Sequence, residues 1–265
     1  MTPSLLLNHH DQGLLWSPSA LASLAADVAQ SYQTALAVRQ LRQTRGESPR
    51  GFKIGFTNRT IWPVYGVYGP VWSTVWNTTL TLSEGSASVS LAHVCQPRLE
   101  PEVVFGLHST PPHGASLDVL FDCIDWMAAG FEIVQSHAPG WKFNAAQAVA
   151  DSALHARLVV GAKTSVRSVA ATASQLNASL AACQVRLHKN GNLVETGLGS
   201  NVLDSPLLAL HHFLMELHLC PGAPALLAGD VVTTGTWTDA WPVQAAETWR
   251  AEFDAPLAAL QVQFE

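Results

Sequence analysis

Glu100 and Glu102 flank Pro101 at the head of an apolar run, Val103-Val104-Phe105. In extended backbone, residues i and i+2 point to one face, so the two carboxylates converge. Two like charges entering an apolar strand side by side are costly unless they share a cation or a proton. The proline between them removes a ladder donor and marks an edge or a bulge. A solvated strand start with two surface glutamates fits the same spacing. Glu132 stands in the otherwise apolar Gly130-Phe131-Glu132-Ile133-Val134, where a lone carboxylate either faces water or is paired. Three carboxylates with no cysteine beside them favour a hard divalent ion over zinc, namely Mg²⁺ or Mn²⁺ with waters completing its shell.

Lys53 lies in Gly51-Phe52-Lys53-Ile54-Gly55-Phe56. In a dry pocket it is a base of lowered pKa or an anion holder; on a solvated strand it is an ordinary surface lysine. Apolar neighbours favour the neutral amine, and a bound cation pushes the same way. Lys142, between Trp141 and Phe143, has the same two readings. The turn Thr196–Asn201, with Gly199 and Ser200, offers backbone donors for an anion. It is not a dinucleotide fingerprint, because Val202 takes the place of the third glycine. Thr233-Thr234-Gly235-Thr236 offers a second hydroxyl and amide cluster suited to a carboxylate. There is no GxSxG, HExxH or Walker sequence, and the doublets His9-His10 and His211-His212 lack metal-site spacing.

These residues need strands to hold them. Ser17-Pro18 reads as a helix cap, and Leu21, Leu24, Val28, Tyr32 and Leu36 extend one amphipathic helix to about Arg45. A strand over Gly51–Phe56 follows, then an aromatic, glycine-broken stretch, Trp62–Trp72, expected as a packed loop at a pocket mouth. A boundary near residue 75 divides a small N-terminal α/β part, 1–75, from a body, 76–265. Strand-like runs dominate the body: 79–82, 87–91, 102–107, 131–134, 158–160 and 231–234. Asn190-Gly191 joins two more as a hairpin. Helices are expected only at Leu117–Ala129 and Pro206–Leu219. The pattern is that of the α+β class.

Composition narrows the function. Of 265 residues 13% are charged, about half the usual quarter, and 48% are hydrophobic, which excludes a disordered chain. The net charge of −6 and the absence of a basic run argue against a nucleic-acid partner. No apolar run approaches the roughly 18 residues of a spanning helix, and Asn8-His9-His10 breaks the early leucine run, so neither a membrane segment nor a signal peptide is expected. Four widely spaced cysteines read as free thiols in a reducing cytoplasm. So few charges with nine tryptophans predict a homo-oligomer.

Gly51–Phe56, Gln96–Phe105, Gly130–Val134, Trp141–Phe143, Glu195–Ser200 and Ala228–Gly235 occur in an order that resembles the fumarylacetoacetate hydrolase superfamily. Within it they are similar to the 2-keto-4-pentenoate hydratase and 4-oxalocrotonate decarboxylase branch, over roughly residues 20–250. The resemblance implies a mixed β-roll with a small N-terminal α/β part, assembled as homo-oligomers. It implies Mg²⁺ or Mn²⁺ on Glu100, Glu102 and Glu132, a pocket lysine at Lys53, a second at Lys142, and a carboxylate-binding hydroxyl loop at Thr234–Thr236. The substrates it implies are short 2-oxo acids from the meta-cleavage breakdown of aromatic compounds. The expected activity is that of a metal-dependent lyase, a hydratase of 2-hydroxydienoic acids. The alternatives are a 4-oxalocrotonate-type decarboxylase, then an acylpyruvate hydrolase, or a catalytically silent partner subunit. Two departures, Tyr65–Ser73 without the usual acidic pair and Asp204-Ser205-Pro206 in place of glycine-histidine-proline, fall at the expected pocket rim and bear on the substrate.

Overall fold

A computed structural model describes residues 1–24 and 27–265. Its strands are β1 (Pro49–Gly55), β2 (Val71–Trp76), β3 (Leu80–Leu82), β4 (Ser86–Val89), β5 (Arg98–Leu107), β6 (Ile124–Val134) and β7 (His155–Val160). They continue as β8 (Thr164–Ser165), β9 (Gln184–Lys189), β10 (Asn192–Leu198), β11 (Val231–Thr233), β12 (Trp241–Pro242), β13 (Thr248–Phe253) and β14 (Leu260–Phe264). One sheet runs β2-β1-β11-β5-β6-β7-β3, with β12 on β5 and β8 on β6; the second runs β10-β9-β13-β14-β4. The α+β class expected from the sequence is the one observed.

The period of two decides what each strand faces. On β5, Leu99, Val103 and Phe105 enter a core shared with Phe131 and Ile133 of β6 and with Leu187, Trp249, Leu260, Val262 and Phe264 of the second sheet. Their β5 neighbours Arg98, Glu100 and Glu102 therefore share the opposite face. Phe105 and Phe131 are fully buried, and each contributes about 2–3 kcal/mol by leaving water. The hairpin β9–β10 turns at Asn190-Gly191, both with positive φ, as expected for that dipeptide.

Several elements differ from the sequence expectation. A helix over Pro3–Gln12, hidden by its polar Asn8-His9-His10, is capped by the Thr2 side chain and closed by a left-handed Gly13. The single helix expected from residue 18 to 45 is two, Pro18–Ala22 and Val28–Thr44, because Asp27 caps a new start; residues 25–26 lie outside the described residues. The helix expected over Leu117–Ala129 stops at Cys123. From Ile124 onward the chain pairs with β5 on one side and with β8 and then β7 on the other, and these ladders override helical periodicity. In the Trp62–Trp72 stretch, Trp62–Tyr65 forms one helical turn ended by a left-handed Gly66, and Val71-Trp72 already belong to β2. Residue 75 lies inside β2, and β1 pairs in parallel with β11, so residues 49–76 share the large sheet with the later strands. Gly51 permits that pairing, since a Cβ there would sit 1.8 Å from the Val231 carbonyl oxygen. Among the described residues no helix is long and apolar enough to cross a membrane.

Candidate active site

The β5–β6 register sets Glu100 directly opposite Glu132, and Glu102 opposite Gly130. Same-face neighbours along β5 and cross-strand neighbours on β6 thus meet, and one carboxylate oxygen from each glutamate lies within 4.8 Å of the others. Glu102 and Glu132 are buried; Glu100 is half-buried at the edge of a cavity of about 340 Å³.

Each carboxylate is fixed by a different part of the chain. Glu102 Oε2 accepts the backbone N–H groups of Thr234 (2.9 Å) and Gly235 (2.6 Å). Gly235 has a φ of 97° and packs so closely that a Cβ would lie 1.8 Å from Thr57 Oγ1, so glycine is required. Glu132 Oε1 pairs with His155 Nδ1 at 2.9 Å, and His155 Nε2 lies 3.0 Å from Thr79 Oγ1. Burial holds His155 neutral, well below the usual imidazole range. A neutral ring that donates from Nδ1 to Glu132 and accepts at Nε2 from Thr79 satisfies both bonds.

The remaining oxygens are exposed to each other rather than to donors. Among the described residues Glu102 Oε1 has no hydrogen-bond partner, and Glu132 Oε2 has only the Lys53 side-chain nitrogen, 3.3 Å away. Burial, reinforced by mutual repulsion, pushes Glu100 up to about 8 and Glu102 well above the usual carboxylate range; burial also raises Glu132. A buried, hard, all-oxygen donor set that resists ionisation on its own fits a divalent cation.

Lys53 reaches this cluster from β1. Its Nζ donates to the Ala153 carbonyl at 2.7 Å beside Glu132. Burial pulls the lysine pKa down, but Glu132, Glu100 and Glu102 outweigh it and raise the value above normal. Apolar neighbours alone thus do not decide the state of this lysine: burial favours the neutral amine, and the neighbouring carboxylates favour the ammonium.

The other expected residues divide. Gly235 and Thr236 line the cavity, whereas the Thr234 hydroxyl donates to the Val103 carbonyl at 2.8 Å and acts on the site through its backbone. Lys142 is exposed and outside the cavity, although Trp141 and Phe143 on either side line it. Gly199 packs on the Leu180 carbonyl and Ser200 is exposed, while Glu195 and Asn201 beside them reach the cavity. Arg98 also lines it, with its guanidinium 4.3 Å from the Trp141 ring centroid and no acidic partner among the described residues. The alternation Arg98, Glu100, Glu102 was a legible signal for that arginine. His155 and the Ala153 carbonyl had none. At the rim Tyr65 stacks between Phe56 (4.7 Å) and Phe143 (5.7 Å), and Arg59 pairs with Asp204 at 2.7 Å.

No family model matches the chain. It is 30% identical over 217 residues to a 2-keto-4-pentenoate hydratase from Burkholderia vietnamiensis, covering 81% of this chain and 78% of the relative. The chain belongs to that hydratase family. A 4-oxalocrotonate decarboxylase from a Pseudomonas species (strain CF600) is 25% identical over 217 residues, 81% of this chain and 77% of that enzyme. The solved 4-oxalocrotonate decarboxylase of Pseudomonas putida G7, a complex with magnesium and adipate, superposes with a TM-score of 0.87 at 22% identity, over 99% of this chain and 95% of its own. It has the same fold. The resemblance to the 2-keto-4-pentenoate hydratases and 4-oxalocrotonate decarboxylases is thereby borne out.

Proposed function

We propose that this chain is a divalent-metal-dependent hydro-lyase that adds water to short 2-hydroxydienoic acids, the enol forms of unsaturated 2-oxo acids. The observation that carries the reading is the trio Glu100, Glu102 and Glu132, converging beside an ammonium at a cavity of about 340 Å³. Glu100, Glu102 and Glu132 would hold Mg²⁺ or Mn²⁺. When bound, that ion supplies Lewis-acid stabilisation of charge developing on oxygen.

The chain's own groups do the rest. Lys53 Nζ, held between Glu132 and the Ala153 carbonyl, gives a proton to the terminal carbon of the dienol. The enol oxygen returns its proton to the Lys53 amine as an α,β-unsaturated ketone forms, and water then adds across the double bond, its hydroxyl to the far carbon and its proton to the carbon beside the ketone. Gly235 and Thr236 border the polar end, and the Phe56–Tyr65–Phe143 stack covers the hydrocarbon. Lys142, Gly199 and Ser200 have no part in this reading.

The test is turnover of 2-hydroxypenta-2,4-dienoate by the Mn²⁺-loaded chain, followed as loss of the dienol absorbance. No turnover with either ion rejects the activity. A second reading, decarboxylation of a dicarboxylate such as 4-oxalocrotonate, is favoured by Arg98, a cavity cation that forms no salt bridge among the described residues. Release of carbon dioxide from that substrate, with the dienoate untouched, decides for it.

We further read the protein as a homo-oligomer in a reducing, cytoplasmic compartment. Its cysteines are all free, three of them buried, and large apolar side chains such as Val64, Tyr68 and Leu219 are exposed on the single chain. Light scattering at the single-chain mass of 28.4 kDa rejects the oligomer.

A further inference from the structure

Behind Lys53 the backbone adopts a conformation that residues with side chains avoid. Ser152, Ala153 and Leu154 have φ of 53°, 46° and 69°, three successive left-handed residues with no glycine among them. Such a turn persists only where its surroundings over-determine it. Its own backbone closes it, Leu154 N–H donating to the Asp151 carbonyl at 2.8 Å.

The second restraint is a buried side-chain pair. Asp151 Oδ2 accepts the His137 backbone N–H at 2.9 Å, and Asp151 Oδ1 lies 2.5 Å from His137 Nδ1. His137 is itself wedged by Trp16, whose ring stacks at 5.8 Å and whose backbone N–H donates to the His137 carbonyl at 2.7 Å. Neither Asp151 nor His137 lines the cavity.

The consequence follows from the connectivity. His137 lies three residues beyond the end of β6, the strand that carries Glu132. The Asp151–His137 pair therefore ties the turn bearing the Ala153 carbonyl to the same segment that bears Glu132. Lys53 Nζ bridges those two groups, at 2.7 Å and 3.3 Å.

We propose that Asp151 and His137 are a positioning pair for Lys53: they hold the left-handed turn so that the Ala153 carbonyl aims the ammonium at the reacting carbon. This rests on the reading of Lys53 as the proton-transfer group.

The experiment compares Asp151→Ala, Asp151→Asn and the double variant Asp151→Ala/Ser152→Gly in the metal-loaded protein. Asp151→Ala lowers kcat about 10²-fold, the effect of displacing a reacting group by roughly 1 Å. KM stays within about fivefold, and calorimetric Mn²⁺ affinity stays at the parent value. Asp151→Asn keeps an acceptor for the His137 N–H and retains kcat within about fivefold, the worth of one ordinary hydrogen bond. Ser152→Gly makes one left-handed residue free of steric cost and restores kcat of the alanine variant by about tenfold or more.

A kcat retained per folded chain in Asp151→Ala, with only a lower melting temperature, marks a purely structural pair and overturns the inference. Lys53→Met measured alongside separates the two failures, because parent-like turnover in that variant overturns the role of Lys53 itself. Ser152→Gly in the unchanged chain needs no weakened protein. Its melting temperature rises by about 2 °C if the turn is strained, and a fall overturns the argument.

Discussion

Two walls of one cavity are built by different means. On β5 and β6 the positions of Glu100, Glu102 and Glu132 follow from the register of the ladder that pairs the two strands. Elsewhere on the cavity lining, Tyr65, Trp141 and Phe143 come from short turns and the segment after them, and their rings meet at 5.7 to 6.0 Å, one pair stacked and one tilted. A register slip would send every side chain of a strand to the opposite face, so the first wall tolerates no partial change. Turns can shift while their rings remain in contact. The carboxylate wall should therefore set whether the reaction occurs, and the aromatic wall which substrate is taken.

The strongest test of that division is Glu102→Gln. The amide keeps the Thr234 and Gly235 N–H groups satisfied through its oxygen, so the fold should survive. Metal-dependent turnover should fall by at least about 10³-fold, several kcal/mol of lost charge stabilisation. Calorimetry that finds Mn²⁺ bound as tightly as by the parent places the ion elsewhere. Next in size is Lys53→Met, which keeps the unbranched stem of the side chain and removes the ammonium and its protons. The expectation is a kcat loss of about 10²–10⁴-fold with KM little changed. A rise in KM confined to substrates with a remote carboxylate would instead make Lys53 an anchor.

A smaller effect concerns the metal-free protein. Burial raises the carboxyls of Glu100, Glu102 and Glu132 in the folded state above their unfolded values, Glu100 up to about 8. The folded state therefore holds protons that the unfolded chain releases near the ordinary carboxylate range. The stability linked to them is complete below that range and is lost as pH rises through the folded values towards 8. Metal-free protein should thus melt at a lower temperature at pH 8.5 than at pH 5.5, and Mn²⁺ should raise the melting temperature more at the higher pH. Equal melting temperatures for the metal-free protein at the two pH values would mean the carboxylates are already neutralised by something other than protons.

The two walls also differ in how far the sequence reveals them. Period two in Arg98–Glu102 is written in the residues, and so is the isolated Glu in Gly130–Val134; strand pairing only had to bring them together. Lys53 was legible as a candidate but not its electrostatic surroundings, because the carboxylates that push its pKa up against burial lie 47 to 79 positions away along the chain. The Ala153 carbonyl and the neutral His155 carried no signal, since one is backbone and the other depends on Glu132 and Thr79 from distant strands. Lys142 shows the converse failure. The family resemblance implied a second lysine of the site there, but Trp141 and Phe143 line the cavity and the residue between them is exposed. The helical periodicity of Leu117–Ala129 misled in the same way, because ladder partners on both sides outweigh local preference.

The rim supplies the last and smallest prediction. Trp141 has two contacts that matter here: its Nε1–H donates to the Gln96 carbonyl at 3.0 Å, and its ring carries the Arg98 guanidinium at 4.3 Å. Trp141→Ala removes the ring that holds Arg98 against the cavity wall, an interaction of about 0.5–2 kcal/mol. It leaves Glu100, Glu102, Glu132 and Lys53 untouched. KM should rise by about tenfold, most for substrates whose far end reaches Arg98, while kcat and Mn²⁺ affinity stay near the parent values. Trp141→Phe keeps a ring face under the guanidinium and should recover most of the loss. If Trp141→Ala instead lowers kcat and metal affinity together, the aromatic wall supports the carboxylate wall mechanically, and the division between reaction and selection fails at that point.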